Sequence, residues 1–339
     1  MDFVLLVYLA VSVLTYDFIT FVPSVPLILL WFFSTLFILV ALRFKKNLGR
    51  GVVLLTLGIW IATSFWAFVD VGRLASLWNK PSLGKSTTKL GFCTLNTSWK
   101  GPFEQDFVQY LVTNNCRLVF LQEIWDYIDF SETTSHIFPY HLPNNELQTF
   151  YTNLYAVYPT VKKWREFIIA GNFEVTEEYH STWEGFYAIK AVLANNPQPL
   201  WLINVHIWTP LVLRPTRSLL IATEYAAEFK SPYISPLELR KAQLLELRQF
   251  LKNVTKENAP ILLAGDFNSL PSNVFVWYTL PSFGLIKYSP GVVALPTFAD
   301  YLPIIMIDHV YGRGLRLVEV KHQFNRFSDH TLVKGELVF

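Results

Sequence analysis

Apolar residues are concentrated at the start of this chain, and this uneven distribution is the strongest constraint on its fold. Three long apolar stretches fall within the first 70 residues, at Phe3 to Phe21, Val25 to Leu42 and Val52 to Val69. Each is close to the length that crosses the hydrocarbon core of a bilayer, and the run Leu29 to Phe33 lacks the polar face of a half-buried soluble helix. We therefore predict an all-α transmembrane segment over residues 1–70, a membrane anchor of about three helices.

The first stretch has a second interpretation, as a cleaved signal peptide. It lacks a positively charged start and an obvious small-residue cleavage site, which disfavours this interpretation. Asp17 lies near its end, where a carboxylate can reach the membrane interface, and Pro23 and Pro26 predict a tight reversal. We favour three spans.

The charges of the loop between the second and third stretches predict an orientation in the membrane. Arg43 to Arg50 carries four positive charges, which favour the cytoplasmic side. The third span then runs outward, and everything after Asp70 is predicted to lie on the extracytoplasmic side of an integral membrane protein. Arg73, Lys80 and Lys85, which follow that span, reduce the asymmetry.

The rest of the chain is close to neutral. Of 28 Lys and Arg and 26 Asp and Glu residues, four and three lie in the first 70 positions, so the remainder carries 24 and 23. A protein that depends on non-specific binding to phosphate backbones is expected to be strongly basic, and this balance gives no support to that class.

The composition changes after the third stretch. Residues 71–87 are more polar and contain Pro81 and Gly84, which predicts a linker, and a domain over residues 88–339 follows. In that domain, short runs of β-branched and aromatic residues alternate with polar turns, which predicts strands. The predicted strands are Lys89 to Leu95, Arg117 to Leu121, Phe186 to Ala194, Leu200 to His206, Ile261 to Ala264, Met306 to Tyr311, Leu315 to Val320 and one after His330, with helices at Gln105 to Val112 and Pro236 to Asn253. This pattern predicts an α/β fold with sheets inside and helices outside.

Several predicted strands end in a side chain that can bind a metal or carry a proton. Polar groups at strand ends can meet at one edge of a sheet, so we expect these side chains to converge. They are Asn96, Glu123, His206, Asp266, Asn268, Asp308, Asp329 and His330. Asp308 is placed at the end of the apolar run Ile304 to Ile307, whereas Asp329 and His330 come just before a strand.

The spacing within this set predicts roles for some members. Glu123 and Asp329 offer the hard oxygen ligands that Mg²⁺ prefers, and Asp308 can orient the imidazole of His330 as a base. Carboxylates and a histidine arranged in this way suit metal-assisted hydrolysis of a phosphoester.

Each residue also has an ordinary structural interpretation. Alone, His206 suits a hydrogen-bonded core histidine, Asp266 and Asn268 suit a turn, and Asn96 or Glu123 suits a solvated position. Chemistry is favoured because an acid, a histidine and an Asp/Asn pair all follow apolar strands along the chain.

Three further residues are assigned to structure or left open. His309 points away from Asp308 on an extended backbone, so we predict a structural role. Cys93 and Cys116 either pair in an oxidising compartment or are plain core residues.

The segment from about Thr88 to Phe339 resembles the endonuclease/exonuclease/phosphatase superfamily. This superfamily includes pancreatic-type deoxyribonucleases, abasic-site endonucleases, neutral sphingomyelinases and inositol-polyphosphate phosphatases. The motifs that carry the resemblance, in the family's order, are Asn96, Leu121-Gln122-Glu123, Asn204-Val205-His206, Gly265-Asp266-Phe267-Asn268-Ser269, Ile307-Asp308-His309 and Ser328-Asp329-His330.

The resemblance implies a four-layer α/β sandwich, with two central β-sheets flanked by helices and the site at one sheet edge. It also implies bound Mg²⁺, with Mn²⁺ as a substitute. Glu123 is then the principal metal ligand with Asn96 beside it, and Asp329 helps to hold the metal or its waters.

The same resemblance implies how the substrate is attacked. His206 donates to the scissile phosphate, and Asn268 binds a phosphate oxygen or positions the water. Either Asp266 or the pair of Asp308 and His330 activates the water, and both assignments stay open.

This chain departs from the family at two places. Ser98 stands where many relatives have a second Asn or Asp, which leaves fewer metal ligands there. The Tyr or Arg that grips the phosphate in the DNA-cleaving members has no single counterpart, and Tyr155, Tyr187 and Arg240 are the candidates.

Three functions are compatible with these observations. A membrane-anchored Mg²⁺-dependent hydrolase of a lipid or other phosphodiester near the bilayer is favoured, because an anchor raises the effective concentration of lipid headgroups. A membrane-tethered nuclease acting on DNA or RNA is the alternative, and an inactive membrane-bound interaction module is third. The bilayer and the phosphoester are the expected partners, and no protein partner is predicted.

Overall fold

The computed structural model describes residues 57–58, 89–98, 104–124, 144–208, 236–269, 271, 273, 275–290, 297 and 306–338. Apart from Leu57 and Gly58, the three predicted membrane spans lie outside these residues, as does the predicted linker. Within the described part of the chain, no helix is long and apolar enough to cross a bilayer. The membrane anchor therefore stays a prediction.

Two six-stranded mixed sheets form the centre of the described structure. The strands are β1 (Lys89–Asn96), β2 (Leu118–Gln122), β3 (Thr160–Trp164), β4 (Phe167–Gly171), β5 (Phe173–His180), β6 (Phe186–Leu193), β7 (Asn196–His206), β8 (Ile261–Asp266), β9 (Ile286–Tyr288), β10 (Asp308–Arg313), β11 (Arg316–Gln323) and β12 (Leu332–Val338). The helices are α1 (Phe107–Thr113), α2 (Asn144–Val157), α3 (Pro236–Val254) and α4 (Leu280–Ser282), with a 3₁₀ turn at Thr255–Glu257 and a π-helical turn at Phe275–Thr279.

Each sheet has one parallel strand pair near its middle. The first sheet has the order β11-β12-β1-β2-β4-β3, and the second has the order β5-β6-β7-β8-β10-β9. In the first sheet β1 and β2 are parallel, in the second β7 and β8 are parallel, and the other pairs are antiparallel. Parallel neighbours end at the same sheet edge, so each sheet brings two strand ends together.

The two sheets pack face to face, with helices on both outer faces. In β2, Phe120 belongs to the apolar cluster between the sheets, whereas Val119 and Leu121 belong to the cluster with α1 and α2. In β8, Leu262 faces the first sheet and Leu263 packs with α3. Because side chains alternate along a strand, central strands buried on both faces are apolar throughout. The predicted layered α/β arrangement is confirmed for the described residues.

Most of the predicted strands are present, and their bounds differ by a few residues. One placement was wrong: Asp308 is the first residue of β10 rather than the end of a preceding apolar strand. Because β10 runs antiparallel to β8, its first residue lies beside the last residue of β8. The side chain of Asp308 therefore lies at the same sheet edge as that of Asp266, although the two strands run in opposite directions.

Cys93 and Cys116 form a disulfide, which resolves the alternative that the sequence left open. Their Cα atoms are 5.3 Å apart, and both residues are buried. The bond joins the middle of β1 to the segment that enters β2. It therefore fastens the two parallel strands whose ends carry Asn96 and Glu123.

Candidate active site

Ends of strands from both sheets meet at one place. Asn96 ends β1 and Glu123 follows β2 in the first sheet, whereas His206 ends β7 and Asp266 ends β8 in the second. A buried amide bridge holds the sheets together there, because the side chain of Gln122 donates to Oδ1 of Asn204 at 2.5 Å. The predicted strand-end side chains are thus brought together across the two sheets.

Asn96 connects carboxylates of the two sheets. Its Nδ2 donates to Oε1 of Glu123 at 3.1 Å and to Oδ2 of Asp266 at 3.0 Å, and its Oδ1 accepts from the backbone N–H of Ser98. Asn96 is fully buried, so these bonds fix its amide. The amide nitrogen, rather than the oxygen, faces the carboxylates in this structure, and its predicted role as a metal ligand stays a prediction.

Glu123 is held in an unusual backbone conformation. Its φ is +61°, which lies in the left-handed region that costs free energy for residues other than glycine. The backbone N–H of the next residue, Ile124, donates to the carbonyl of Glu166 at 3.0 Å. The turn after β2 is therefore tied to the turn between β3 and β4.

His330 lies between two buried aspartates. Its Nδ1 is 3.0 Å from Oδ2 of Asp308, and its Nε2 is 3.8 Å from Oδ2 of Asp266. Burial lowers the pKa of His330, but Asp308, then Asp266 and Asp329, raise it to about 10. The predicted pairing of Asp308 with His330 is present.

Asp266 lies directly across from Asp308 in the register of β8 and β10. Burial and then the negative charge of Asp308 raise the pKa of Asp266 to about 6, although His330, His206 and the N–H of Asn268 oppose the rise. Asp266, Asp308 and His330 each offer a ligand atom, and these atoms lie within 4.8 Å of one another. A cation bound in or beside this group would offset its negative charge.

His206 is oriented by Glu166, a residue that the sequence interpretation missed. Nδ1 of His206 is 3.0 Å from Oε1 of Glu166, and its Nε2 is 3.7 Å from Glu123 and 3.9 Å from Asp266. Burial lowers the pKa of His206, but Glu166, and then Glu123 and Asp266, raise it to about 9. A single Glu between a turn and the apolar strand Phe167–Gly171 has no distinctive sequence signal.

The hydroxyl of Ser98, two residues after the end of β1, holds Asp329 in the loop before β12. The hydroxyl of Ser98 donates to Asp329 and lies 3.1 Å from the hydroxyl of Ser328. Ser328 in turn donates to the carbonyl of Asn96 and accepts from the N–H of His330. The hydroxyl of Ser98 thus helps to fix the loop before β12.

The turn after β8 is formed by Asp266 and Asn268. The N–H of Asn268 donates to Oδ1 of Asp266 at 2.6 Å, and its side-chain amide donates to the carbonyl of Ile207 at 2.9 Å. Between them, Phe267 is buried in the cluster with α3. Gly265 has φ +141°, and a Cβ there would lie 2.0 Å from the carbonyl oxygen of Val205, so β8 approaches β7 as only glycine allows.

Arg240 and Tyr187, two of the candidate phosphate-gripping residues, have structural contacts. Arg240 is fully buried on α3 and donates to the carbonyls of Trp208 and Phe267. The Tyr187 hydroxyl donates to Glu178.

His309 is structural, as predicted. Its Nε2 lies 2.7 Å from the carbonyl oxygen of Ser269, and its pKa is kept well below the ordinary value by burial and then by the charge of Lys287.

Comparisons with known proteins give similarity of fold alone. No family model matches this chain, and no curated protein matches it. Similar solved structures include the endonuclease/exonuclease/phosphatase from Bacteroides vulgatus (14% identical, covering 74% of this chain and 99% of that chain, TM-score 0.49). Truncated TDP2 of Caenorhabditis elegans is 13% identical over 74% of this chain and 98% of that chain, with TM-score 0.49. The human nocturnin catalytic domain with bound sulfate anion is 14% identical over 74% of this chain and 95% of that chain, with TM-score 0.47. Identities this low do not carry an activity from one protein to another.

Proposed function

We propose that this chain is a hydrolase of phosphoesters that depends on a divalent metal ion. One observation carries the proposal: Glu123, Asp266, Asp308 and Asp329 converge with two histidines at the edge where the two sheets meet. Buried carboxylates cost free energy unless positive charge or hydrogen bonds compensate them. A site that concentrates them beside two histidines is suited to a cation and an anionic substrate.

The residues present fit a hard divalent cation. The raised pKa of Asp266 has burial and the charge of Asp308 as its causes, so negative charge is crowded here in a way that a cation relieves. Glu123 and Asp329 would hold Mg²⁺ or Mn²⁺, with Asn96 aligning Glu123 against Asp266. When bound, such an ion neutralises charge on the phosphoryl oxygens and makes phosphorus easier to attack.

His206 and His330 have similar surroundings, but each pairs with a different carboxylate. Each presents Nδ1 to one carboxylate, Glu166 for His206 and Asp308 for His330, and turns Nε2 toward Asp266. A carboxylate behind Nδ1 fixes the ring and favours a proton on that nitrogen. We assign His206 as a donor to the phosphoryl oxygens.

Proton acceptance is assigned to the facing pair of Asp266 and His330. Nε2 of His330 lies 3.8 Å from Oδ2 of Asp266, so a proton taken from water by either group lies within reach of the other. The surrounding carboxylates raise the pKa of His330 to about 10, so the ring can accept a proton at neutral pH only where a bound divalent cation would offset their charge. Asn268 holds the turn that carries Asp266, and its predicted contact with a phosphate oxygen or with the water remains part of the proposal.

A lipid phosphodiester is the substrate class that we propose. Support comes from the three apolar stretches before residue 70, which would hold the site near lipid headgroups. The near-neutral charge of the remainder gives no support to binding of nucleic acid. An extracytoplasmic location of the site is supported by the charges of Arg43 to Arg50 and by the disulfide between Cys93 and Cys116, since disulfides persist in oxidising compartments.

The test is cleavage by the full-length protein in lipid vesicles, with Mg²⁺ or with chelator, and with His330→Ala as the blank. Sphingolipid and phospholipid phosphodiesters are offered beside single-stranded and double-stranded DNA and RNA. Mg²⁺-dependent release of a phosphorylated headgroup that His330→Ala lacks supports the proposal. Cleavage of nucleic acid alone would support the nuclease instead, and no cleavage together with no Mg²⁺ binding would leave an interaction module.

A further inference from the structure

Two turns, one from each sheet, enclose His206. The turn between β3 and β4 places the Glu166 carboxylate 3.0 Å from Nδ1 of the ring. The turn between β5 and β6 places the carbonyl of Gly185 where it accepts the backbone N–H of His206 at 3.0 Å. The ring and the backbone of the same histidine are therefore fixed from different sheets.

An ion pair joins these two turns. Nε of Arg165 lies 3.0 Å from Oε1 of Glu184, and each partner directly precedes the residue that contacts His206. Glu184 is nearly buried, with 7% of its side chain exposed, whereas Arg165 has 33% exposed, so the pair is partly shielded from water. Such a pair is screened less than a surface one.

Both members of the pair have left-handed backbone conformations. The φ of Arg165 is +50° and that of Glu184 is +51°. A left-handed conformation costs free energy for residues other than glycine, and such residues persist where the surroundings hold them. Of the described non-glycine residues with positive φ, Ser98, Glu123 and Asn268 also border the site.

Helix α3 holds the second turn against the same histidine. Glu246 accepts the backbone N–H groups of Thr182 and Trp183, at 2.7 and 3.1 Å. Gln243 donates to the carbonyl of Trp183 and accepts the N–H of Trp208, two residues after His206. The β5–β6 turn is thus supported from behind, whereas the Arg165–Glu184 pair connects it to the first sheet.

We propose that Arg165 and Glu184 are positioning residues that lock His206 between the two sheets. The inference rests on the proposed function, because it assigns the pair to the group that faces the substrate phosphate. Breaking the pair lets the β3–β4 turn, and with it Glu166, move relative to β7. A displacement of about 1 Å at a catalytic group can cost about a hundredfold in rate.

The experiment compares Arg165→Gln, Glu184→Gln, the double variant and the exchanged pair R165E/E184R. The matched control is Lys89→Gln with Glu336→Gln, a surface pair at 2.7 Å that joins β1 and β12. We expect each single variant to lower kcat by about ten- to a hundredfold with KM within about threefold, and the double variant to lose no more than either single. The control variants retain activity.

A second measurement does not require activity. In the full-length protein labelled with ¹⁵N-histidine and kept metal-free at one pH, the ring signals of His206 are assigned with His206→Gln. We expect one sharp set of His206 ring signals in the wild type and the control. Arg165→Gln and Glu184→Gln should give shifted or multiple sets, and R165E/E184R should restore the wild-type set in part. Unchanged His206 ring signals together with a kcat within twofold of wild type in the single variants would overturn the proposal. Losses in kcat that simply add in the double variant would also overturn it. Disturbed signals in a protein with no phosphoesterase activity would uphold the positioning role while overturning the proposed function.

Discussion

Asp266 and Asp308 face each other across antiparallel strands, as the last residue of β8 and the first residue of β10. Both carboxylates are buried, with 1% and 2% of the residue exposed. Two anions in such a place repel each other, so one of them gains a proton more readily, or a cation compensates both. The raised pKa of Asp266 is the expected consequence without a cation.

Metal binding should therefore stabilise the fold. At a Mg²⁺ concentration about a hundred times Kd, linkage supplies about 2.7 kcal/mol, or a rise in Tm of roughly 5–10 °C for a domain of this size. Glu123→Gln should reduce the rise strongly, because it removes a charged ligand but keeps an acceptor for Asn96. Differential scanning fluorimetry measures the shift. The control is Glu178→Gln, which removes a carboxylate that pairs with Lys162 on β3. An equal rise in Tm for the wild type, Glu123→Gln and Glu178→Gln would contradict the assignment of Glu123 as a metal ligand.

Loss of the Asp308–His330 pair should abolish turnover without unfolding the protein. We expect His330→Ala to lower kcat by roughly 10²–10⁴-fold, the usual contribution of general acid–base catalysis, and Asp308→Asn to act in the same direction by releasing the ring. Turnover of saturating substrate and a circular dichroism spectrum check rate and fold. His180→Ala, at an exposed histidine on β5, should behave as wild type. Near-normal turnover of His330→Ala would exclude it from catalysis.

The His206–Glu166 pair should give stability a specific dependence on pH. Because the folded pKa of His206 is raised to about 9, its ion pairing stabilises the fold fully below the unfolded value of about 6.5. That contribution is lost as the pH rises through about 9. Glu166→Gln should then cost on the order of 1–3 kcal/mol at pH 6 and much less at pH 9.5.

Urea unfolding of the metal-free protein at the two pH values measures this difference. The same substitution made in a His206→Gln background is the control, since the pH-dependent part of the cost should vanish there. A cost that is equal at both pH values in both backgrounds would show that Glu166 does not interact with a charged His206.

Reduction of the Cys93–Cys116 disulfide should destabilise the domain. The bond closes a loop with a sequence separation of 23, for which the chain-entropy estimate is about 3 kcal/mol. Cys93→Ala/Cys116→Ala should therefore unfold at lower urea concentration than wild type, and dithiothreitol should lower the midpoint of wild type but not of the variant. A reductant-insensitive wild type would mean that the bond does not form.

Removal of the buried amide bridge should cost more than a surface substitution. Asn204 donates to the carbonyls of Leu121 and Ile168 at 2.8 and 3.0 Å and accepts from Gln122. Asn204→Leu leaves these groups buried without their partner, which costs on the order of 2–5 kcal/mol. Urea midpoints measure the loss, and Asn253→Leu, on the exposed end of α3, should change stability by less than about 0.5 kcal/mol.

The sequence predicts eight of the twelve described strands, most of which are clear apolar runs. It does not predict β3, β4, β5 or β9, although β4 is apolar and fully buried and therefore carries a strand signal. In β5, residues Phe173–His180 include three glutamates and a threonine. This strand lies at a sheet edge and is half exposed, so its composition resembles a polar segment. Helix α2 did carry a signal, since Phe150 and Leu154 are spaced for one buried face, but that helical spacing was overlooked.

The site was predictable where a polar residue ends an apolar run, as for His206 and Asp266. Glu166 was not predictable, because its partner is 40 positions away and only the pairing of β3 with β4 and the packing of the sheets bring the two together. Arg165 and Glu184 were missed for the same reason. Contacts between turns depend on tertiary packing, which strand patterns along the chain do not specify.

The Gln122–Asn204 bridge also bears on how the proposed site assembles during folding. The second sheet supplies His206 and the facing pair Asp266 and Asp308, whereas the first supplies Asn96, Glu123 and the loop before β12 that carries Asp329 and His330. Neither sheet alone has the complete set, so we expect a partly folded chain with one sheet formed to be inactive. The time at which activity appears during refolding should therefore report when one sheet packs against the other.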